Sequence, residues 1–169
     1  MPSFRCEKYD PSRHELAGFR CEDARYEKFL TGKAPTLHAA GFARTYLAFE
    51  PDSEVLCGYS TITMSSLSKQ LVMVPDLLRS VPSFDLPVLH LERLATDVER
   101  RRTGVATFLL KEVFELALSC ERHVGCFGVS LHYAKDDLVG FYARFGFTVV
   151  NKREKIMLLT LKTLREATG

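Results

Sequence analysis

Apolar residues along this chain fall into two kinds of pattern. Ala106, Leu109, Leu110, Val113, Ala117 and Cys120 recur at helical spacing and predict an amphipathic helix opening just after Gly104. Short apolar runs bounded by turn formers predict strands. They cover residues 4–9, ended by Asp10-Pro11-Ser12, then 43–49 and 55–64, joined as a hairpin by Pro51-Asp52-Ser53. A further strand is led in by Pro87-Val88-Leu89 and runs past Leu94; three more cover 126–133, 147–150 and 155–161.

Helical segments fill much of the remainder. One turn is expected over 14–17, closed near Gly18. A longer helix starts near Glu22, with Tyr26, Phe29 and Leu30 on one face; Gly32 and Pro35 end or kink it, and 37–40 form a further turn. Asp136 or Asp137 starts a short helix through Phe141 and Tyr142, closed near Gly146. Residues 65–86, punctuated by Pro75 and Pro82, are the least readable part, with one helical turn at 76–79. This order predicts one mixed α/β (α+β) domain over residues 1–169.

Between the strand at Leu91 and the helix at Ala106 lies a tight basic turn, Glu99-Arg100-Arg101-Arg102-Thr103-Gly104-Val105. A helix opening here leaves its first N–H groups unpaired, and with the positive end of the helix dipole they make a seat for phosphate. Gly104 and Ala106 let an anion approach the backbone, while Arg100, Arg101 and Arg102 add mobile positive charge. The same run also fits a solvated arginine cluster capping an ordinary helix. No nucleoside-triphosphate P-loop, no Gly-x-Gly-x-x-Gly, no Gly-x-Ser-x-Gly elbow and no His-Glu-x-x-His is present.

Composition narrows the classes. With 169 residues and 46% hydrophobic content the chain can bury a full core, and no apolar run reaches membrane-span length. A formal net charge of +2 does not by itself announce a nucleic-acid binder. The N-terminus shows no apolar signal region, and the cysteines (Cys6, Cys21, Cys57, Cys120, Cys126) are scattered without a Cys-x-x-Cys pair. Together these predict reduced, packed thiols in a cytoplasm and no metal centre.

Two stretches carry a resemblance. Arg101-Arg102-Thr103-Gly104-Val105-Ala106 resembles the Arg/Gln-x-x-Gly-x-Gly/Ala turn of the GNAT acetyltransferases, and Gly140-Phe141-Tyr142-Ala143-Arg144-Phe145-Gly146-Phe147 resembles the aromatic run after their fifth strand. They stand in the family's order, about forty residues apart. The resemblance implies a GNAT-type domain with a mixed, mostly antiparallel sheet splayed between its fourth and fifth strands, around Leu94 and Leu131, and flanked by helices. It implies acetyl-CoA as cofactor, its pyrophosphate held by Arg101, Arg102, Thr103, Gly104, Val105, Ala106 and Thr107 and its pantetheine paired with Leu94 and Thr96. Tyr142 is then the acid that protonates the departing thiolate; read from its neighbours alone, it is better taken as one member of an aromatic core.

A further layer, from His14-Glu15-Leu16 through Ala43-Arg44-Thr45-Tyr46 to Leu91-x-Arg93-Leu94-Ala95-x-Asp97, is similar to the GNAT toxins of bacterial toxin–antitoxin pairs. These acetylate the α-amino group of aminoacyl-tRNA and are commonly neutralised by a small ribbon-helix-helix antitoxin; a homodimer is a further expectation. The chain departs from them where Arg102 stands in place of the usual glycine and Thr103 in place of a basic residue. The resemblance suggests Arg44 and Arg93 as RNA contacts, each equally readable as a structural salt bridge. A general base stays open among Glu92, His90, His132 or none. An N-acetyltransferase for a small-molecule or protein amine, and a non-catalytic acyl-CoA-binding module, are the alternatives.

Overall fold

The structure, a computed structural model, describes residues 3–168; Met1 and Pro2, part of the N-terminal stretch read above for a signal region, and Gly169 lie outside the described residues. Seven strands form one sheet in the order β1-β2-β3-β4-β5-β7-β6. They are β1 (Arg5–Lys8), β2 (Arg44–Phe49), β3 (Leu56–Leu67), β4 (Leu86–Thr96), β5 (Gly128–His132), β6 (Thr148–Asn151) and β7 (Ile156–Thr160). The helices are α1 (Ala24–Lys28), α2 (Ala34–Ala39), α3 (Val105–His123), α4 (Val139–Ala143) and α5 (Leu161–Thr168). The pairs β1–β2, β2–β3, β5–β7 and β6–β7 are antiparallel, whereas β4 and β5 run parallel from Val88 opposite Gly128 to Leu91 opposite Leu131. The expected mixed, mostly antiparallel sheet with flanking helices is therefore present. Its contacts group into two compact units, each made of two stretches of chain: Met1–Thr63 with Glu92–Val113, and Met64–Leu91 with Phe114–Gly169.

In the first unit, Asp23 caps α1 by accepting the Arg25 N–H at 2.9 Å. Gly32 and Pro35, read as an end or a kink, mark an irregularity in the helix rather than its end. The helix instead widens into a π-helical stretch, Phe29–Lys33, and continues as α2. Pro35 follows directly after the π-helical stretch, in the first turn of α2. The turn expected over 14–17 is not helical; a hydrogen-bonded turn sits earlier, with the Arg13 and His14 N–H groups donating to Asp10 O at 3.0 Å. Phe19, Phe29, Leu30, Leu47 and Tyr59 make one core, and Ala48, Cys57, Val105 and Leu109 a second. Gly58 permits that second core: a Cβ there would lie 2.7 Å from both the Ala95 carbonyl oxygen and Val105 Cγ1.

In the second unit, the poorly readable stretch resolves into two 3₁₀ turns, Lys69–Leu71 and Pro75–Leu78. It is pinned to β6 by the Met73 N–H on Val150 O (2.7 Å) and the Asn151 Nδ2 on Leu71 O (3.0 Å). Leu67, Val72, Leu86, Val88, Val150, Ile156 and Leu158 form its core. The last strand ends one residue earlier than the hydrophobic run predicts. Thr160 Oγ1 accepts the Thr163 N–H at 3.1 Å and so caps α5, whose Leu161 and Leu164 are buried. Among the described residues no helix is long and apolar enough to cross a membrane.

Candidate active site

The basic turn is built from the end of β4. Asp97 organises it: its N–H donates to Cys57 O (2.8 Å), its Oδ1 accepts the Glu99 N–H (3.0 Å), and its Oδ2 accepts the Arg20 N–H (3.2 Å). The Val98 N–H donates back to Arg20 O at 2.9 Å, so the chain around Arg20 straps the entry to the turn. A single 3₁₀ turn, Val98–Arg100, follows, and Thr103 Oγ1 donates to Arg100 O at 2.5 Å to close the loop. The sequence pattern placed Asp97 only within a resemblance; its role as joint cap and strap anchor emerges from the fold.

Arg102 has φ 61° and Gly104 φ 93°, two left-handed positions within three residues. Glycine takes that conformation without penalty, whereas a side chain such as that of Arg102 is strained there. That Arg102 stands where the resembled toxins have glycine thus acquires a backbone meaning. Helix α3 starts at Val105, and its first helical bond runs from the Phe108 N–H to Gly104 O at 2.9 Å. The N–H groups of Val105, Ala106 and Thr107 therefore have no intrahelical acceptor. Arg101, Arg102, Thr103 and Gly104 are exposed, Val105 is buried, and Ala106 and Thr107 are half-buried.

The three arginines differ. Arg100 is not mobile: its Nε donates to Glu50 Oε1 and its Nη2 pairs with the same oxygen, each at 2.8 Å, and this carboxylate holds the guanidinium pKa above its ordinary value. Arg101 meets Glu22 through a single contact of 3.2 Å, with both side chains more than half exposed. Arg102 makes no ion pair among the described residues. Leu94 and Thr96, at the end of β4, are half-buried in the same unit as the turn.

Tyr142 lies in the second unit, on α4, and is 8% exposed. Its ring meets Phe141 edge-on at 5.1 Å and Phe147 at 5.7 Å, so it belongs to an aromatic group whatever else it does. The candidate bases divide as well. His90 Nδ1 lies 2.8 Å from Ser130 Oγ, with its ring 5.3 Å from that of His132, whose side chain is exposed. Glu92 Oε2 lies 3.9 Å from Arg93 Nη1. Of the suggested RNA contacts, Arg44 donates to the carbonyls of His38 (3.2 Å) and Ala43 (3.0 Å). The Arg93 guanidinium is stacked over Phe29 (4.6 Å) and Tyr26 (5.4 Å), held by the π-helical stretch and α1.

Comparison with known proteins bears on the family and the fold. The family model for the acetyltransferase (GNAT) domain matches residues 43–149, more than half of the chain. A tRNA-acetylating toxin of Mycobacterium tuberculosis is 22% identical over 155 residues, covering 92% of this chain and 91% of that protein. The solved structure of AtaT complexed with acetyl-methionyl-tRNAfMet superposes with a TM-score of 0.88 at 21% identity, covering 99% of this chain and 100% of that one. A mutant AtaT toxin bound to the C-terminus of the antitoxin AtaR and acetyl-CoA superposes with a TM-score of 0.79 at 19% identity, covering 98% and 97%. With the strand–turn–helix at Gly104 and the seven-stranded mixed sheet, the matched model shows that the chain belongs to the GNAT acetyltransferases.

Proposed function

We propose that this acetyltransferase takes its acetyl group from acetyl-CoA and transfers it to the α-amino group of aminoacyl-tRNA. The observation that carries the acceptor is the tRNA-acetylating relative, matched along nine-tenths of both chains. The physical argument for the cofactor is the turn itself. Free N–H groups at Val105, Ala106 and Thr107, the positive end of the 19-residue α3, an unobstructed Gly104 and the guanidiniums of Arg101 and Arg102 suit a pyrophosphate. Thr103 shapes the turn through its bond to Arg100, and the backbone groups of Leu94 and Thr96 are proposed to pair with pantetheine.

Transfer forms the amide bond and breaks the carbon–sulfur bond of the thioester. The departing thiolate takes a proton, assigned here to the Tyr142 hydroxyl, and the nitrogen loses one. An ordinary α-amino group, with pKa about 8, is already neutral in good part at cellular pH, so the acceptor makes little demand for a dedicated base. The same reading takes in a cytoplasmic site of action, a homodimer and neutralisation by a small ribbon-helix-helix antitoxin.

Brief expression in a bacterium, followed by mass spectrometry of tRNA and protein pools, tests the acceptor. Growth arrest with N-acetylated aminoacyl-tRNA is expected; acetylated protein or small amines with unmodified tRNA would sink the proposal. Gly104→Asp tests the cofactor seat. An added Cβ there has no atom within 4 Å, so the fold should survive at the cost of some backbone strain, while acetyl-CoA should no longer raise the melting temperature.

A further inference from the structure

Each arginine of the turn has a different tether. Arg100 is fixed by two contacts to Glu50, and Arg102 has no ion-pair partner among the described residues. Arg101 is held by one exposed contact, 3.2 Å from Glu22 Oε2. Glu22 does not reach this position as an unanchored side chain. Two residues earlier, Arg20 is clamped to the turn by its own N–H on Asp97 Oδ2 (3.2 Å) and by the Val98 N–H on its carbonyl (2.9 Å). One residue later, Asp23 is fixed as the cap of α1. A carboxylate is thus mounted between two fixed points, against an arginine of the anion-binding turn.

We propose that Glu22 is a built-in competitor for Arg101, occupying the guanidinium until the pyrophosphate of acetyl-CoA displaces it, and so setting the cofactor affinity below what the turn alone would give. The proposal rests on the reading of this turn as the pyrophosphate seat. Because Glu22 is 64% exposed, release leaves its carboxylate in water rather than unpaired in a dry site, so the exchange is reversible. Its negative charge nonetheless remains beside an incoming dianion.

Calorimetric titration with acetyl-CoA and with acetyl-pantetheine, which lacks the pyrophosphate, tests this on the full chain. Glu22→Gln and Glu22→Ala should bind acetyl-CoA about two- to fivefold tighter, the range set by one exposed ion pair. Their affinity should also depend more steeply on salt, because an intramolecular anion no longer screens Arg101. Binding of acetyl-pantetheine should not change, and in an Arg101→Gln background the gain should vanish. Unchanged or weaker acetyl-CoA binding by both variants, with the wild type still preferring acetyl-CoA to acetyl-pantetheine, overturns the role of Glu22 and leaves the turn intact. Equal wild-type affinity for the two ligands overturns the pyrophosphate seat and the proposal with it.

Discussion

Tyr142 carries a packing role that the structure displays and a chemical role that is proposed, and one atom separates the two. Its ring is fixed by Phe141 and Phe147, so removing the hydroxyl leaves the aromatic group filled. In Tyr142→Phe the affinity for acetyl-CoA should stay near the wild-type value while kcat falls roughly 10²–10⁴-fold, the usual worth of a positioned acid. Single-turnover transfer beside calorimetry on one preparation checks this; a near-normal chemical rate would reduce Tyr142 to a core residue. Individual residues were unevenly legible in the sequence. Gly104 could be read from its type and spacing, because a left-handed turn before a helix needs glycine. Glu22 and Glu50 could not, because each meets its arginine only after strands and helices have brought distant stretches together. Arg100 was misread as mobile for that reason.

Elements were legible where one physical cue dominated. Helix α3 follows its apolar stripe, with Leu109, Leu110, Val113 and Ala117 buried and Ala106 and Cys120 half-buried. Strands β2 and β5 follow their runs to within about two residues. Where two cues compete, the reading stayed open or erred. Gly32 and Pro35 allow a helix end or a kink, and with Phe29 and Leu30 buried the irregular outcome prevails, a π-helical stretch that lets the helix continue without losing that burial. Leu161 was assigned to a strand by its apolar neighbours, although Thr160 three residues before Thr163 is a helix-capping arrangement that could have been noticed. Gly58 shows what an element can require of a single position. Gly58→Ala would press a methyl group onto the Ala95 carbonyl and Val105, disturbing the end of β4 and the start of α3 together. A loss of about 1–3 kcal/mol is expected, the range for overpacking, with weakened acetyl-CoA binding. Urea melts and thermal shift with the ligand measure both, and an unchanged midpoint would show that the close approach relaxes cheaply.

For the molecule as a whole, response to acid follows from Glu7. It accepts from His14 Nε2 at 2.6 Å and from Arg13 at 3.4 Å, and it pairs with Arg5. His14 Nδ1 accepts the Asp10 N–H at 3.0 Å, which leaves the ring proton on Nε2, facing the carboxylate. This hydrogen bond, helped by the arginines, holds the Glu7 pKa below the ordinary carboxylate value. A group depressed in the folded state stabilises above its unfolded pKa, roughly 4.3, and loses that contribution as pH falls through the folded value. Denaturant midpoints should therefore drop below about pH 4 in the wild type, whereas Glu7→Gln should be less stable at neutral pH and flatter on the acid side. Parallel pH profiles for the two proteins would refute this. Burial, reinforced by Glu112 and Glu7, pushes the Cys6 thiol up to about 12, and Cys21, Cys57 and Cys126 are also raised by burial, which fits thiols used as packing groups.

Strand β7 is the last strand among the described residues, yet it lies between β5 and β6, registered with Leu131 through Met157 on one side and with Thr148 through Leu158 on the other. On the ribosome, β5 and β6 therefore emerge without the strand that joins them until Thr160 has cleared the exit tunnel. For an enzyme proposed to attack the charged tRNA on which its own translation depends, this order of events holds back the unit that carries Tyr142 until β7 is free of the tunnel. Stalled nascent chains should transfer acetyl groups only when β7 stands clear of the tunnel, and transfer by chains stalled before Ile156 has emerged would refute it.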